Sequence, residues 1–138
     1  MKATDLMIGD YVRYIGTETF GDMKNGDIVK VDALQGNYIC VGDGWAYGDM
    51  FEPIPLTLEI LQKNGFKTDG EAIWASFCPE DNEFALEISE PNYYDENYGE
   101  REYWWTINAC EYSIIPLRYV HELQHALKLC GIDKNIEL

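Results

Sequence analysis

The sequence predicts a mixed α+β protein, in which a small β unit is followed by a unit that has both helices and strands. Two observations favour this class. At the beginning of the chain, short apolar runs alternate with glycine-rich turns, which is typical of small all-β units. Further along, strand-like runs lie between two stretches in which apolar residues recur every three or four positions, as on one face of a helix. We expect residues 1–52 and 53–138 to form these two units, either separately or as one body.

Residues 1–52 contain several short runs of strand-like composition. Turns with glycine separate them, among them Gly36-Asn37 and Gly42-Asp43-Gly44. The predicted strands cover residues 10–15, 28–31, 38–41 and 45–47. Short strands at intervals of about ten residues are typical of small barrels, and the run from Ile8 to Val12 is similar to the start of many SH3-like barrels. We therefore predict an SH3-like β-barrel unit over residues 1–52.

A proline pair, Pro53 and Pro55, separates this unit from a short helix predicted over residues 58–64. Thr57 has the side chain that an N-cap position favours, and Glu59 places a negative charge in the first turn. Gly65 fits the position after the helix, where a left-handed backbone is common. We expect Phe66 to pack back onto the helix.

The second unit is predicted to continue as an antiparallel meander that ends in a helix. The predicted strands cover residues 72–77, 83–88, 103–107 and 112–115. Their connections are too short for parallel crossovers. A helix is predicted from Pro116 to Cys130, with its apolar stripe packed on the sheet and Gly131 following it. The stripe consists of Leu117, Val120, Leu123, Leu127 and Cys130.

The composition is strongly acidic and rich in aromatic residues. The formal net charge is −15, and residues 80–102 alone contain nine acids and one base. Because such a chain repels phosphate groups, direct nucleic-acid binding is not expected, whereas a basic protein surface would be attracted. No apolar run is long enough to span a bilayer, so no membrane association is expected.

The cysteines and the first residues favour a cytoplasmic protein. Cys40, Cys78, Cys110 and Cys130 form no C-x-x-C pair, so they predict neither a zinc knuckle nor a redox site. Residues 1–9 lack the apolar core of a signal peptide. We therefore expect the cysteines to be reduced and mostly buried. No cofactor is predicted.

One motif has the pattern of a zinc hydrolase. His121-Glu122-Leu123-Gln124-His125 is an H-E-x-x-H sequence, in which two histidines one helical turn apart hold Zn²⁺ and the glutamate acts as general base. Two arguments oppose this interpretation: position 131, where a third histidine would follow, is Gly, and both histidines point away from the apolar stripe towards solvent or a rim. We therefore expect incidental surface histidines, with metal binding and hydrolysis kept as alternatives.

A second cluster combines aromatic and acidic residues over positions 89–101 and the strand that follows. Aromatic side chains with few Lys or Arg residues near them favour a protein interface over stacking on the bases of a nucleic acid. Packing in the sheet core and a ligand pocket are the alternatives. The candidate protein-binding residues are Tyr93, Tyr94, Asp95, Glu96, Tyr98 and Trp104.

Three stretches of the chain resemble a family of small uncharacterised proteins encoded in Bacteroidetes genomes, often in phages or mobile elements. They comprise Met1–Val12, Pro53–Leu61 with Gly65-Phe66, and Ile115–Gln124 with Gly131. The resemblance implies no activity. It does imply a chance origin for the H-E-x-x-H motif, since the closing helix of that family usually has Asn at the position of His125 and often Gln at that of Glu122.

These observations together predict a non-enzymatic, acidic intracellular binding or adaptor protein, associated with a phage or mobile element. Its expected partner is another protein, and its oligomeric state stays open. One alternative is an inhibitor that blocks the basic, nucleic-acid-binding surface of another protein. The other alternative is zinc-dependent hydrolysis through His121 and His125, with Glu122 as base.

Overall fold

The computed structural model describes residues 1–68, 74–77, 86–89, 105–107, 116–129 and 131–138. This part of the chain contains antiparallel β-sheets and two α-helices, so the predicted α+β class is confirmed. The chain divides into two units. The first consists of Met1–Pro55 with Tyr119–His121, and the second of Leu56–Arg118 with Glu122–Leu138.

The first unit contains six short strands in two antiparallel sheets. One sheet has the order β2-β1-β6 and the other the order β3-β4-β5. Single 3-10 turns lie at Ala3–Asp5 and Gly48–Met50. The strands are β1 (Tyr11–Tyr14), β2 (Ile28–Lys30), β3 (Ala33–Gln35), β4 (Tyr38–Val41), β5 (Gly44–Tyr47) and β6 (Phe51–Pro53).

The SH3-like barrel predicted for residues 1–52 is not supported. The structure describes all of these residues, and their strands form two separate sheets with no closed barrel among them. Closure requires every strand to pair on both sides, whereas β2, β6, β3 and β5 are the edges of their sheets. The short strands β3 and β6 were not predicted, because neither run has a marked alternation of apolar and polar residues.

The core of the first unit is built from alternate residues of its strands. In β1, Val12 and Tyr14 are buried while Tyr11 and Arg13 are half-buried. The rings of Tyr14 and Phe51 meet edge to face, with their centroids 5.5 Å apart. The buried cluster comprises Ala3, Leu6, Val12, Tyr14, Met23, Val31, Ile39, Ala46 and Phe51.

The second unit begins with the predicted short helix, which the structure places at α1 (Leu58–Lys63). The Thr57 hydroxyl accepts a hydrogen bond from the Ile60 N–H at 3.3 Å, as expected of an N-cap. Gly65 has a φ of 81°, the left-handed backbone that ends many helices. Phe66 is buried as expected, and its N–H donates to the Leu61 carbonyl. The predicted start at residue 58 is confirmed, and the helix ends one residue before the predicted end at 64.

The predicted antiparallel meander is also confirmed by its described strands. They form a five-stranded sheet in which neighbours in sequence are neighbours in space, in the order β11-β10-β9-β8-β7. Residues 112–115, predicted as a strand, lie outside the described residues. The strands are β7 (Lys67–Thr68), β8 (Trp74–Phe77), β9 (Leu86–Ser89), β10 (Trp105–Ile107) and β11 (Pro116–Leu117).

The closing helix, α2 (Val120–Leu129), begins four residues later than predicted. The prediction of a start at Pro116 was wrong because that segment is extended. Pro116 and Leu117 pair with β10, and the Arg118 carbonyl accepts from the Leu56 N–H at 2.8 Å. The stripe residues Leu123 and Leu127 are buried as expected. Within the described ranges, neither α-helix is long and apolar enough to cross a membrane.

Candidate functional site

The residues of the H-E-x-x-H motif all lie on α2, but their surroundings differ from the prediction. His121 is only 6% exposed, so its expected exposure was wrong. The Tyr119 ring stacks on it with an interplanar angle of 8° and centroids 5.7 Å apart. Tyr119 precedes the helix and therefore does not belong to the periodic pattern from which the orientation was predicted. His125 is half-buried.

Glu122 has a structural role at the start of α2. Its Oε2 atom accepts a hydrogen bond from the backbone N–H of Arg118, just before the helix. The bond is related to a capping box, but its donor lies one residue before the N-cap, so it ties the first turn of α2 to the extended segment that precedes the helix. Among the described residues, no three His, Cys, Asp or Glu side chains are grouped so that they could hold a metal ion.

The protein-binding residues predicted from the sequence are not among those the structure describes. This applies to Tyr93, Tyr94, Asp95, Glu96, Tyr98 and Trp104, and also to Cys78, Cys110 and Cys130. Cys40 is described, and it is buried as expected, with its thiol donating to the Gly42 carbonyl at 3.4 Å.

A surface that the sequence analysis did not single out lies on the sheet β3-β4-β5. Tyr38 pairs with Tyr47 across β4 and β5, and Trp45 lies two residues from Tyr47. Side chains two residues apart share one face of a strand, so these three aromatic residues lie on the same face. Each is between 41% and 44% exposed. We call Tyr38, Trp45 and Tyr47 the aromatic face.

The opposite face of the same hairpin is part of the core. Ile39 pairs with Ala46, and the two residues are 0% and 3% exposed. The two-residue connection between β4 and β5 consists of Gly42 and Asp43, and Gly42 has the positive φ that such tight turns require. This turn fixes the register of the hairpin, and the register in turn directs the aromatic side chains outwards.

The two tyrosines of the aromatic face interact directly. Their rings meet at 62° with centroids 4.4 Å apart, an arrangement that aromatic pairs favour. A hydrogen bond from Tyr38 to Tyr47, together with the proximity of the second phenol, raises the pKa of the Tyr38 hydroxyl above its ordinary value. The face is apolar over its rings and polar at its two hydroxyl groups.

The sequence contained a signal for this surface. Tyr38 precedes the apolar Ile39 on one side of the Gly42-Asp43 turn, and Trp45 and Tyr47 flank Ala46 on the other. A two-residue turn sets the register, so the pattern places these side chains together. The aromatic run at 93–105 is denser and therefore the stronger signal in the composition.

Comparison of the chain with protein-family models, with curated protein sequences and with solved structures finds no match.

Proposed function

We propose that this chain is a non-enzymatic binding protein that recognises another protein through the aromatic face of its first unit. The observation that carries the proposal is the exposure of Tyr38, Trp45 and Tyr47 on one side of a hairpin whose other side is core. Single exposed apolar residues are common on protein surfaces. Three aromatic rings on one strand pair form a patch of the kind that marks an interaction site.

The chemistry of these residues supports a protein partner. Tyr and Trp are enriched among the residues that contribute most of the energy of protein interfaces, because they bury a large area with few rotatable bonds. The net charge of −15 disfavours a nucleic acid as the ligand of these rings. The setting we propose is the cytoplasm of a bacterial cell, in association with a phage or mobile element, on the basis of the resemblance described above.

The test compares capture of cellular proteins by the tagged chain and by three variants. The first variant replaces the aromatic face (Tyr38→Ser, Trp45→Ser and Tyr47→Ser). The second replaces Tyr93, Tyr94 and Tyr98 by Ser, in the segment that the sequence predicts as a binding surface. The third is Leu129→Ser, a control because Leu129 is 77% exposed in the second unit. Circular dichroism establishes that each variant is folded.

We expect a partner that the unmodified chain and the Leu129→Ser control retain equally and that the aromatic-face variant loses. Capture that the aromatic-face variant leaves unchanged would overturn the proposal. If only the variant with Tyr93, Tyr94 and Tyr98 replaced by Ser loses the partner, the interaction belongs instead to the segment predicted from the sequence.

A further inference from the structure

The first unit contains an open groove between the edge strand β2 and the turn end of the hairpin that β4 and β5 form. The groove has a volume of about 850 Å³, and its walls come from β2 on one side and from the ends of β4 and β5 on the other. The turn around Phe20 and Met23 closes one part of it. The lining residues are Phe20, Gly21, Asp22, Met23, Asp27, Ile28, Val29, Val41, Gly42, Asp43, Gly44 and Trp45.

Three large apolar side chains are exposed along this groove. Phe20 is 37% exposed, Trp45 41% and Ile28 46%. The Phe20 ring lies directly against Gly44, where an added Cβ would be only 2.9 Å from two of its ring carbons. The absence of a side chain at Gly44 therefore determines where the Phe20 ring packs. Trp45 belongs both to the groove and to the aromatic face.

The charged residues that line the groove are all negative. Asp22, Asp27 and Asp43 contribute carboxylates, and none of the lining residues is Lys or Arg. Asp27 also accepts a hydrogen bond from the Lys24 N–H at 2.8 Å, which holds it in place. Asp22 and Asp43 are exposed at the tips of two turns. Carboxylates beside an apolar surface favour ligands that combine cationic and apolar groups.

The strands that form the walls favour an extended ligand. In the described sheets β2 and β5 are both edge strands, each with a neighbour on one side only. An edge strand presents backbone donors and acceptors on its outer side, and recognition of extended peptides commonly uses such edges. An extended segment can pair with such an edge, whereas the backbone groups of a helix are already paired within the helix.

We propose that the groove binds an extended segment of a partner protein in which Lys or Arg residues lie next to apolar residues. In this arrangement the apolar side chains of the segment contact Phe20 and Trp45, and its basic side chains lie near Asp22 and Asp43. This inference rests on the proposed function and specifies the chemistry of the partner. A second copy of this chain is disfavoured as the occupant, because two copies of net charge −15 repel each other.

The probe is a random peptide library displayed on phage and selected on the whole 138-residue chain. Selected peptides are synthesised, and their Kd values are measured by fluorescence polarisation against the unmodified chain and two double variants. Asp22→Asn with Asp43→Asn removes charge from the groove. Asp5→Asn with Asp49→Asn removes the same charge from exposed positions that do not line it. A third variant, Phe20→Ala, removes an apolar contact.

We expect the selected peptides to be enriched in Lys and Arg relative to the library. Their Kd should rise about tenfold with the groove double variant and with Phe20→Ala, and less than about twofold with the control. Added salt should weaken binding to the unmodified chain more than binding to the groove variant.

The proposal is overturned if no peptide is enriched, if the enriched peptides show no excess of basic residues, or if both double variants weaken binding equally. Peptides that lack basic residues but lose affinity with Tyr38→Ser and Tyr47→Ser would overturn this inference while supporting the proposed function. If the capture experiment above also shows no effect of the aromatic face, the proposed function fails as well.

Discussion

The buried side chain of Asn64 holds the backbone of Glu137 through two hydrogen bonds, each 2.8 Å long. The amide Nδ2 donates to the Glu137 carbonyl, and the Glu137 N–H donates to Oδ1. The same Nδ2 also donates to the Ile60 carbonyl at 2.8 Å. An amide has one acceptor and one donor group side by side, as a peptide unit does, so Asn64 pairs with residue 137 as a neighbouring strand would.

Asn64→Ala is therefore expected to lower the free energy of unfolding by about 1–3 kcal/mol, because the substitution removes three part-buried side-chain hydrogen bonds, two of them to the Glu137 backbone. Urea denaturation of both proteins measures the difference. The matched control is Asn25→Ala, whose amide donates to the Ile15 carbonyl at an exposed position, and its expected loss is below about 1 kcal/mol. Equal losses for the two variants would contradict this account of Asn64.

A second prediction concerns the contact between Gly44 and Phe20. The Cβ of Gly44→Ala would lie 2.9 Å from the Phe20 ring, so the ring must move. Because the neighbour is a side chain and not backbone, we expect a modest loss of stability, about 1 kcal/mol. In the Phe20→Ala background the same substitution should cost close to nothing.

The double-mutant cycle is its own control, because both members of the pair are removed singly and together. Urea denaturation of the four proteins yields the coupling energy between positions 20 and 44. A coupling energy near zero would show that the Phe20 ring does not pack on the Gly44 backbone in solution.

A third prediction concerns the pH dependence of the tyrosine pair. The hydrogen bond to Tyr47 raises the pKa of Tyr38 in the folded chain above its value in the unfolded chain. The stabilisation from this bond is thus fully present below the unfolded pKa, and it is lost as the pH rises through the folded one. Tyr47→Phe should lower the pKa of Tyr38 and reduce this alkaline loss of stability.

Ultraviolet absorbance reports phenol ionisation, and the difference between a protein and the same protein with Tyr38→Phe isolates the Tyr38 signal. The comparison is made in the unmodified chain and in the Tyr47→Phe background. An unchanged Tyr38 pKa in the absence of the Tyr47 hydroxyl would contradict the assigned cause of the shift.

The local features of this fold were predictable, and the pairing of distant strands was not. Thr57 and Gly65 delimit α1 through contacts with residues a few positions away, so the sequence alone identified both ends of that helix. The sheet β2-β1-β6 depends instead on pairing between segments about 40 residues apart, as in the pair Arg13 and Glu52. Residue propensities contain little information about such contacts, which explains the incorrect barrel.

The same distinction applies to the candidate site. The exposure of Tyr38 and Tyr47 follows from the register of one hairpin, which is a local property. His121 is buried, and the ring of Tyr119 that stacks on it lies outside the helical period from which its exposure was predicted. Periodicity alone therefore gave the wrong environment for one residue of the H-E-x-x-H motif.

A fourth prediction concerns that motif directly. The Glu122 carboxylate accepts from the Arg118 N–H, His121 is buried beside the ring of Tyr119, and the described residues contain no group of three potential metal ligands. We expect the purified untagged protein to contain no stoichiometric zinc, and His125→Asn to change neither its metal content nor its thermal midpoint. Glu122→Ala should lower stability by about 1 kcal/mol through loss of the helix cap, and Glu122→Gln by less, because an amide oxygen still accepts the hydrogen bond.

Elemental analysis and thermal denaturation of the four proteins distinguish the two roles of Glu122. If Glu122 stabilises the start of the helix, Glu122→Ala lowers the thermal midpoint and leaves the metal content unchanged, whereas a role only as the base of a zinc site predicts an unchanged midpoint for both Glu122 variants. Near-stoichiometric zinc that disappears in His125→Asn would contradict the structural role and would support the hydrolase alternative.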